Sequence, residues 1–357
     1  MKPGCGDLIL ALKSPEAMPG FSPTQWDRLI PQARAAGLLG RLGALAQRNG
    51  QEGRLPVPVW RALEADLAFA ERQAIAVHYE LTKLDAALAD LGVPALVLKG
   101  AAYVAGRLAA SDGRLMSDID ILVPKTAIPR VESALMLAGW ITGHLDVYDQ
   151  RYYRQWMHEI PPMQQVRRGT ILDVHHNLLP ETARIRTRPE LVIASAEPLS
   201  GLRHLRIPSE NDLILHSATH LMHEGEWEHG LRDLSDLYAL ISAGITSNKE
   251  FWPGLADRAL ELGLERPLHH ALTQLTRVFD LDVPPLPLPR PGALVNHVIS
   301  TLLAGGLSSY HSDCRLPLTS AAQFLLYVRS HWLRMPLHLL VPHLLHKAFK
   351  PESSVGK

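Results

Sequence analysis

Apolar residues in the first ninety positions recur at three- and four-residue steps, the period of a helix with one buried face. The clearest case is Val59 to Leu91, where Leu63, Leu67, Ala70, Ala74, Val77, Leu81, Leu84 and Leu88 form one stripe. Gly92 and Pro94 then stop it, because glycine closes a helix in the left-handed conformation and proline cannot extend one. Trp26 to Arg48 reads as an earlier helix. The period changes at Ala95-Leu-Val-Leu-Lys99, a short apolar run followed by Gly100 and an alanine-rich helical stretch to Ala110. In Ser117 to Val123, Asp118, Asp120 and Leu122 alternate with Ile119, Ile121 and Val123, the period of two expected of a strand. Lys125 to Ala138 is helical, and Gly139 ends it. Met157 to Val166 and Thr170 to His175 read as two strands turning at Arg167-Arg168-Gly169.

Beyond His175 the pattern weakens. Residues 178–210 hold four prolines and read as irregular, with one short strand at Leu202 to Ile207. Helical periods return at Asp212 to His223, Leu231 to Ala243, Phe251 to Leu262 and Pro267 to Phe279. Asp282 to Pro291 contains five prolines and is a connector to the last helices. The division expected is a helical region 1–92, a compact α/β core 93–177, a linker 178–210 and a helical region 211–350. The fold class is α+β, a small mixed sheet flanked on both sides by helices.

Composition narrows the classes of function. The 36 basic and 36 acidic side chains cancel, which argues against a nucleic-acid coat, whose phosphate contacts need a basic excess. Cys5 and Cys314 are the only cysteines, so neither a disulfide framework nor a thiolate metal site is supported, and a reducing, cytoplasmic setting is the simplest expectation. The N-terminus has no signal-peptide core. The apolar stretch Leu318 to Phe349 is interrupted by Arg329, Arg334, Pro336, Pro342 and Lys347, which predicts two packed amphipathic helices rather than a span, with contact at a membrane interface the lesser alternative.

The candidate chemistry lies in the core. Asp118 and Asp120 are two apart on a strand, so both project from one face. Two carboxylates that close repel unless a cation neutralises them, and hard divalent cations prefer carboxylate oxygen. Asp173, an acid inside the apolar run Ile171-Leu-Asp-Val-His175, is the best third ligand, since an unpaired charge there is costly. An isolated Asp-x-Asp is more often a strand start with a solvent-facing acid. The context of Lys99-Gly100 one helix earlier and a third acid later favours a site.

Val97-Leu-Lys-Gly-Ala-Ala102, Arg114-Leu-Met-Ser-Asp-Ile-Asp-Ile-Leu-Val123 and Ile171-Leu-Asp-Val-His175 together resemble the uncharacterised nucleotidyltransferase proteins of the polymerase-β-like superfamily. The resemblance implies a nucleotidyltransferase core and an Mg²⁺-dependent or Mn²⁺-dependent transfer of a nucleoside monophosphate from a nucleoside triphosphate. It places Asp118, Asp120 and Asp173 as catalytic, metal-binding residues. One departure matters: the superfamily commonly has Gly-Ser at the end of the first strand, where Lys99-Gly100 stands here. Gly100 lets backbone approach a ligand at a helix N-terminus, and Lys99 adds a point charge for phosphate or, alternatively, pairs with Asp118 or Asp120. Arg114 and Ser117 are further nucleotide-binding candidates, each with the alternative of a loop-closing hydrogen bond.

Two other readings are weighed against this one. A protein that keeps the fold but only binds a nucleotide or partner is the alternative that Lys99 favours. A tailoring enzyme acting on RNA would need a local basic face such as Arg151, Arg154, Arg167 and Arg168, and net neutrality favours a small molecule, peptide or protein as acceptor. Lys99 also fits a kinase Val-Ala-Ile-Lys, but no His-Arg-Asp or Asp-Phe-Gly follows. His216, His220 and His223 share a helix face and read as packing histidines, while His175 shares the face of Asp173 and His158 is expected across the hairpin.

Overall fold

The computed structural model describes residues 5–143, 147–223, 225–308 and 310–349. Four helices come first: α1 (Gly6–Lys13), α2 (Pro23–Ala35), α3 (Leu39–Arg48) and α4 (Val57–Leu88). The core follows with β1 (Ala95–Leu98), α5 (Lys99–Ala105), β2 (Asp118–Leu122), α6 (Ile128–Leu137), β3 (Trp140–Thr142), α7 (Val147–Trp156), β4 (Met163–Gln165) and β5 (Ile171–His175). Next are α8 (Pro189–Ala194), β6 (Glu197–Pro198) and β7 (Leu205–Ile207). The rest is helical: α9 (Glu210–His223), α10 (Gly230–Ser247), α11 (Phe251–Leu262), α12 (Glu265–Phe279), α13 (Ala293–Gly306), α14 (Thr319–Arg334) and α15 (Leu337–Phe349). The fold is mixed α+β with one seven-stranded sheet, as the periodicities predict.

The stripe expected on α4 is its buried face, from Leu63 through Leu88. Trp26 to Arg48 is not one helix. Gly37 takes φ +65° and the amide of Leu38 returns to the carbonyl of Ala33, so α2 ends in a left-handed cap and α3 starts anew. Ser22 and Gln25 close the start of α2 with a reciprocal capping box. The alanine-rich helix likewise stops early, at Ala105, because Arg107 adopts φ +52° before a short 3₁₀ turn at Ala109–Ser111.

The sheet order is β3-β4-β5-β2-β1-β7-β6. β2 is central, antiparallel to β1 and parallel to β5, with Leu98 opposite Asp120 and Asp120 opposite Asp173. Helices cover both faces, so Leu96, Val97 and Leu98 are fully buried, each worth about 1.5–3 kcal/mol of transfer free energy. The strand expected over Met157 to Val166 is shorter. Pro161 and Pro162 offer no amide to a ladder, so only Met163–Gln165 pairs regularly, while Glu159 meets His175 in an isolated bridge. The turn falls where expected, with Gly169 at φ +74°. Helix α1 and, within the core, β3 and α7 were not read from sequence. In residues 178–210 the short strand expected at Leu202 to Ile207 is β7, which runs parallel to β1 as part of the sheet, while α8 and β6 were not expected.

Candidate active site

Asp118 and Asp120 project from the same face of β2, as their spacing requires, and the parallel register with β5 brings Asp173 alongside Asp120. One carboxylate oxygen from each of the three lies within 4.8 Å of the others. Asp120 is the most enclosed, at 2% exposure. Its Oδ1 accepts from Lys99 Nζ at 2.7 Å and lies 2.9 Å from His175 Nε2. Burial alone would raise the Asp120 pKa, but the Lys99 ammonium and the His175 hydrogen bond outweigh it and hold the carboxyl well below the usual range. An ionised carboxylate only accepts, so Nε2 of His175 carries the proton. The Lys99 pKa is driven upward: burial opposes its charge, and Asp120, with Asp118 and Glu159 behind it, more than restores it.

Asp173 behaves in the opposite way. It receives no cation of its own; burial first, then the charges of Asp120 and Glu159, push its carboxyl up to about 7. Its Oδ1 is buried without a hydrogen-bond partner. A buried, unpartnered carboxylate oxygen beside two other carboxylates suits a hard cation better than any side chain near it. The donor set therefore fits a divalent metal.

The remaining expected residues are placed differently. Ser117 Oγ donates to Asp118 Oδ1 at 3.0 Å, which orients the outermost carboxylate. Lys99 sits at φ +47°, a left-handed conformation costing a non-glycine residue about 1–2 kcal/mol, at the step from β1 into α5. Arg114 lines the cleft, but Nε donates to Asp236 Oδ2 at 2.7 Å and Nη2 lies 3.7 Å from Asp233. Its guanidinium is committed to α10, the loop-closing alternative. Gly100 is explained by the same contact, for a Cβ there would collide with Nη1 of Arg114.

Glu159 was missed from sequence. Its Oε2 lies 3.5 Å from His175 Nε2, and His158, Glu159 and His175 form a second group of ligand-type atoms next to the aspartates. No strand period marks Glu159, because Pro161 and Pro162 interrupt the run that carries it. His158 does lie across the hairpin, its carbonyl accepting from the amide of His176 at 2.7 Å, and burial keeps its ring neutral. His216 and His223 are buried, with pKa values lowered by desolvation to about 3 and about 4, and His223 Nδ1 bonds the carbonyl of Thr219. His220, also held neutral by burial, lines the cleft. The basic face is partly neutralised, with Arg154 paired to Glu132 and Arg168 to Glu80.

Asp118 and Asp120 line a cleft of about 340 Å³ between the ends of β1 and β2 and helices α9 and α10. Lys99, Asp118, Asp120 and Arg114 form one wall, and Arg232 and Glu228 contribute to the other. A larger cavity of about 540 Å³ lies near the end of α5 and β6, but it is more apolar and holds none of the converging carboxylates. Chemistry therefore centres on the smaller cleft.

Strand, helix, Asp-x-Asp strand and a third aspartate on the parallel neighbour define a nucleotidyltransferase type of core. Residues 22–280 match the family described as uncharacterised nucleotidyltransferase, and the chain belongs to that family. Among solved structures, the solution structure of antibiotic-resistance factor ANT(2'')-Ia is similar at 18% identity, over 56% of this chain and 98% of that one, with a TM-score of 0.32. Comparison with curated proteins finds no match. No described helix is long and apolar enough to cross a membrane.

Proposed function

We propose that the protein transfers a nucleoside monophosphate from a nucleoside triphosphate to an acceptor that is a small molecule, peptide or protein. Family membership supports nucleotidyl transfer as the class of reaction. The observation that carries the finer reading is the convergence of Asp118, Asp120 and Asp173 within 4.8 Å, with Asp173 Oδ1 buried and unpartnered. These three carboxylates would hold Mg²⁺ or Mn²⁺, which when bound neutralises phosphate charge and polarises the reacting phosphorus.

The chain's own residues do the rest. Lys99 and His175 keep Asp120 ionised and fixed in orientation. Ser117 sets the rotamer of Asp118. Asp173 would offer its unpartnered Oδ1 to the metal, and the crowding of burial and neighbouring acids that raises its pKa to about 7 is what a cation there would relieve. Arg114, tied to Asp236, shapes the cleft wall.

The test is incubation with each labelled nucleoside triphosphate and Mg²⁺ together with small-molecule and peptide acceptors. Labelled product, or labelled protein, that disappears in Asp118→Ala is expected; consumption of no triphosphate under any condition sinks the reading. A second reading, nucleotide or partner binding without turnover, is favoured by one observation: Lys99 already occupies Asp120 Oδ1 at 2.7 Å. Calorimetry that detects nucleotide binding while the triphosphate stays intact decides for it.

A further inference from the structure

The three last helices lie beyond the family-matched residues 22–280, and their surface is the reverse of a soluble helix pair. The inner face of α14 is small: Thr319, Ala322 and Ser330 are buried there with Leu326. Its outer face is large and apolar. Phe324, Val328 and Trp332 follow one another at four-residue steps, with Phe324 64% exposed. α15 repeats the pattern with Leu337, Val341 and Leu344, all exposed. From Arg315 to Lys350 the sequence holds five lysines or arginines and no acidic residue, though Arg329 turns inward to donate to the carbonyl of Met222 at 2.8 Å. A basic strap lies against the same helix. The carbonyl of Leu333 accepts from the amide of Arg184 at 3.0 Å, the carbonyl of Arg334 accepts from Thr182 Oγ1 at 2.7 Å, and the Arg184 guanidinium stacks 3.7 Å over the Trp332 ring. Arg184, Arg186 and Arg188 are exposed and form no ion pair among the described residues.

We propose that the outer faces of α14 and α15, with Arg184, Arg186 and Arg188 beside them, dock on an anionic phospholipid surface. An interfacial helix needs an apolar face to enter the acyl boundary and cations to meet lipid phosphate, and α14 and α15 supply the first while Arg184, Arg186 and Arg188 outnumber the flanking Glu181, paired with Lys125, and Glu190. A spanning role is excluded for the described helices by their length and hydropathy. A second copy of this chain is a poorer occupant, because it would set one arginine-rich face against another. The inference does not depend on nucleotidyl transfer.

The experiment is co-sedimentation of the full chain with vesicles of phosphatidylcholine alone and of phosphatidylcholine mixed with phosphatidylglycerol, at low and high salt. Binding to the mixed vesicles that weakens with salt is expected, with little binding to phosphatidylcholine alone. Phe324→Asp with Val328→Asp, and separately Arg186→Glu with Arg188→Glu, each lower that binding by about tenfold or more. Leu337→Asp with Val341→Asp does the same from the other helix, and unchanged thermal midpoints show that each variant is folded. Protein left in solution with the mixed vesicles overturns the proposal. So does a dimer in sedimentation equilibrium that Phe324→Asp with Val328→Asp returns to a monomer.

Discussion

Two aspartates opposite each other in adjacent strands, Asp120 and Asp173, are driven in opposite directions by their neighbours, and this difference is measurable. Asp120 has Lys99 and His175; at Asp173 burial and the charges of Asp120 and Glu159 outweigh the opposing influence of His175. A carboxyl whose folded pKa lies at about 7, above its ordinary 3.8, stabilises the protein below pH 3.8 and loses that contribution as pH rises through 7. The metal-free protein should therefore lose stability between about pH 4 and 7, by at most about 4 kcal/mol from this group, before solvent screening reduces it. Denaturant titrations across that range check it: Asp173→Asn should flatten the slope and raise stability at pH 8 while lowering Mg²⁺ affinity. At Lys99 two costs separate. Lys99→Ala removes the ion pair and keeps the left-handed backbone, whereas Lys99→Gly removes the ion pair and relieves the backbone. The glycine variant should be more stable than the alanine variant by about 1 kcal/mol in chemical denaturation. The carboxylate pair was legible at this scale because a period of two fixes which residues share a face. Whether Lys99 would meet phosphate or Asp120 was not, since that depends on a distance across β1 and β2.

The edge of the sheet is held by one side chain from a distant helix. Asp85 on α4 accepts from the amides of Arg203, His204 and Leu205, ordering the entry to β7. Burial works against its ionised form, but these three donors outweigh it and lower its pKa. Asp85→Ala should cost about 1–3 kcal/mol, chiefly by leaving the buried Leu205 amide unpaired, and should raise hydrogen exchange at Leu205 and Ile207 first. The short strand expected at Leu202 to Ile207 is β7, but its position in the sheet was not legible, because β7 owes its place to β1 on one side and Asp85 on the other. By contrast α4, α9, α11 and α12 were each placed within a few residues, because long amphipathic helices carry their burial pattern locally.

The loop 111–117, which delivers the Asp-x-Asp strand, is fixed by three separate helices. Arg41 from α3 and Arg114 from the loop share the carboxylate of Asp236 on α10, at 2.7 Å each. Gln73 on α4 accepts from the amide of Met116 at 2.8 Å and donates back to its carbonyl. Gly113, at φ +62°, packs its backbone against that of Gly40, where a Cβ on either glycine would collide. Asp236→Ala leaves two buried guanidinium groups without their shared partner and should cost about 3–5 kcal/mol in thermal or denaturant unfolding. Gly113→Ala should cost about 2 kcal/mol or more and weaken metal binding at Asp118, read by calorimetry, because the loop cannot sit at its native distance from α3.

Sequence by itself determined the long helices, the two-residue period that makes Asp118 and Asp120 a pair, and the acid in an apolar strand at Asp173, since each depends on neighbours within a few residues. Tertiary structure alone decided that Asp173 stands beside Asp120, that Lys99 pairs with Asp120, that Glu159 joins His175, and that Arg114 serves Asp236. The pairings of Lys99 with Asp120 and of Arg114 with Asp236 join residues 21 and 122 positions apart, and strand register and side-chain distance, unlike period, leave no local trace in the chain.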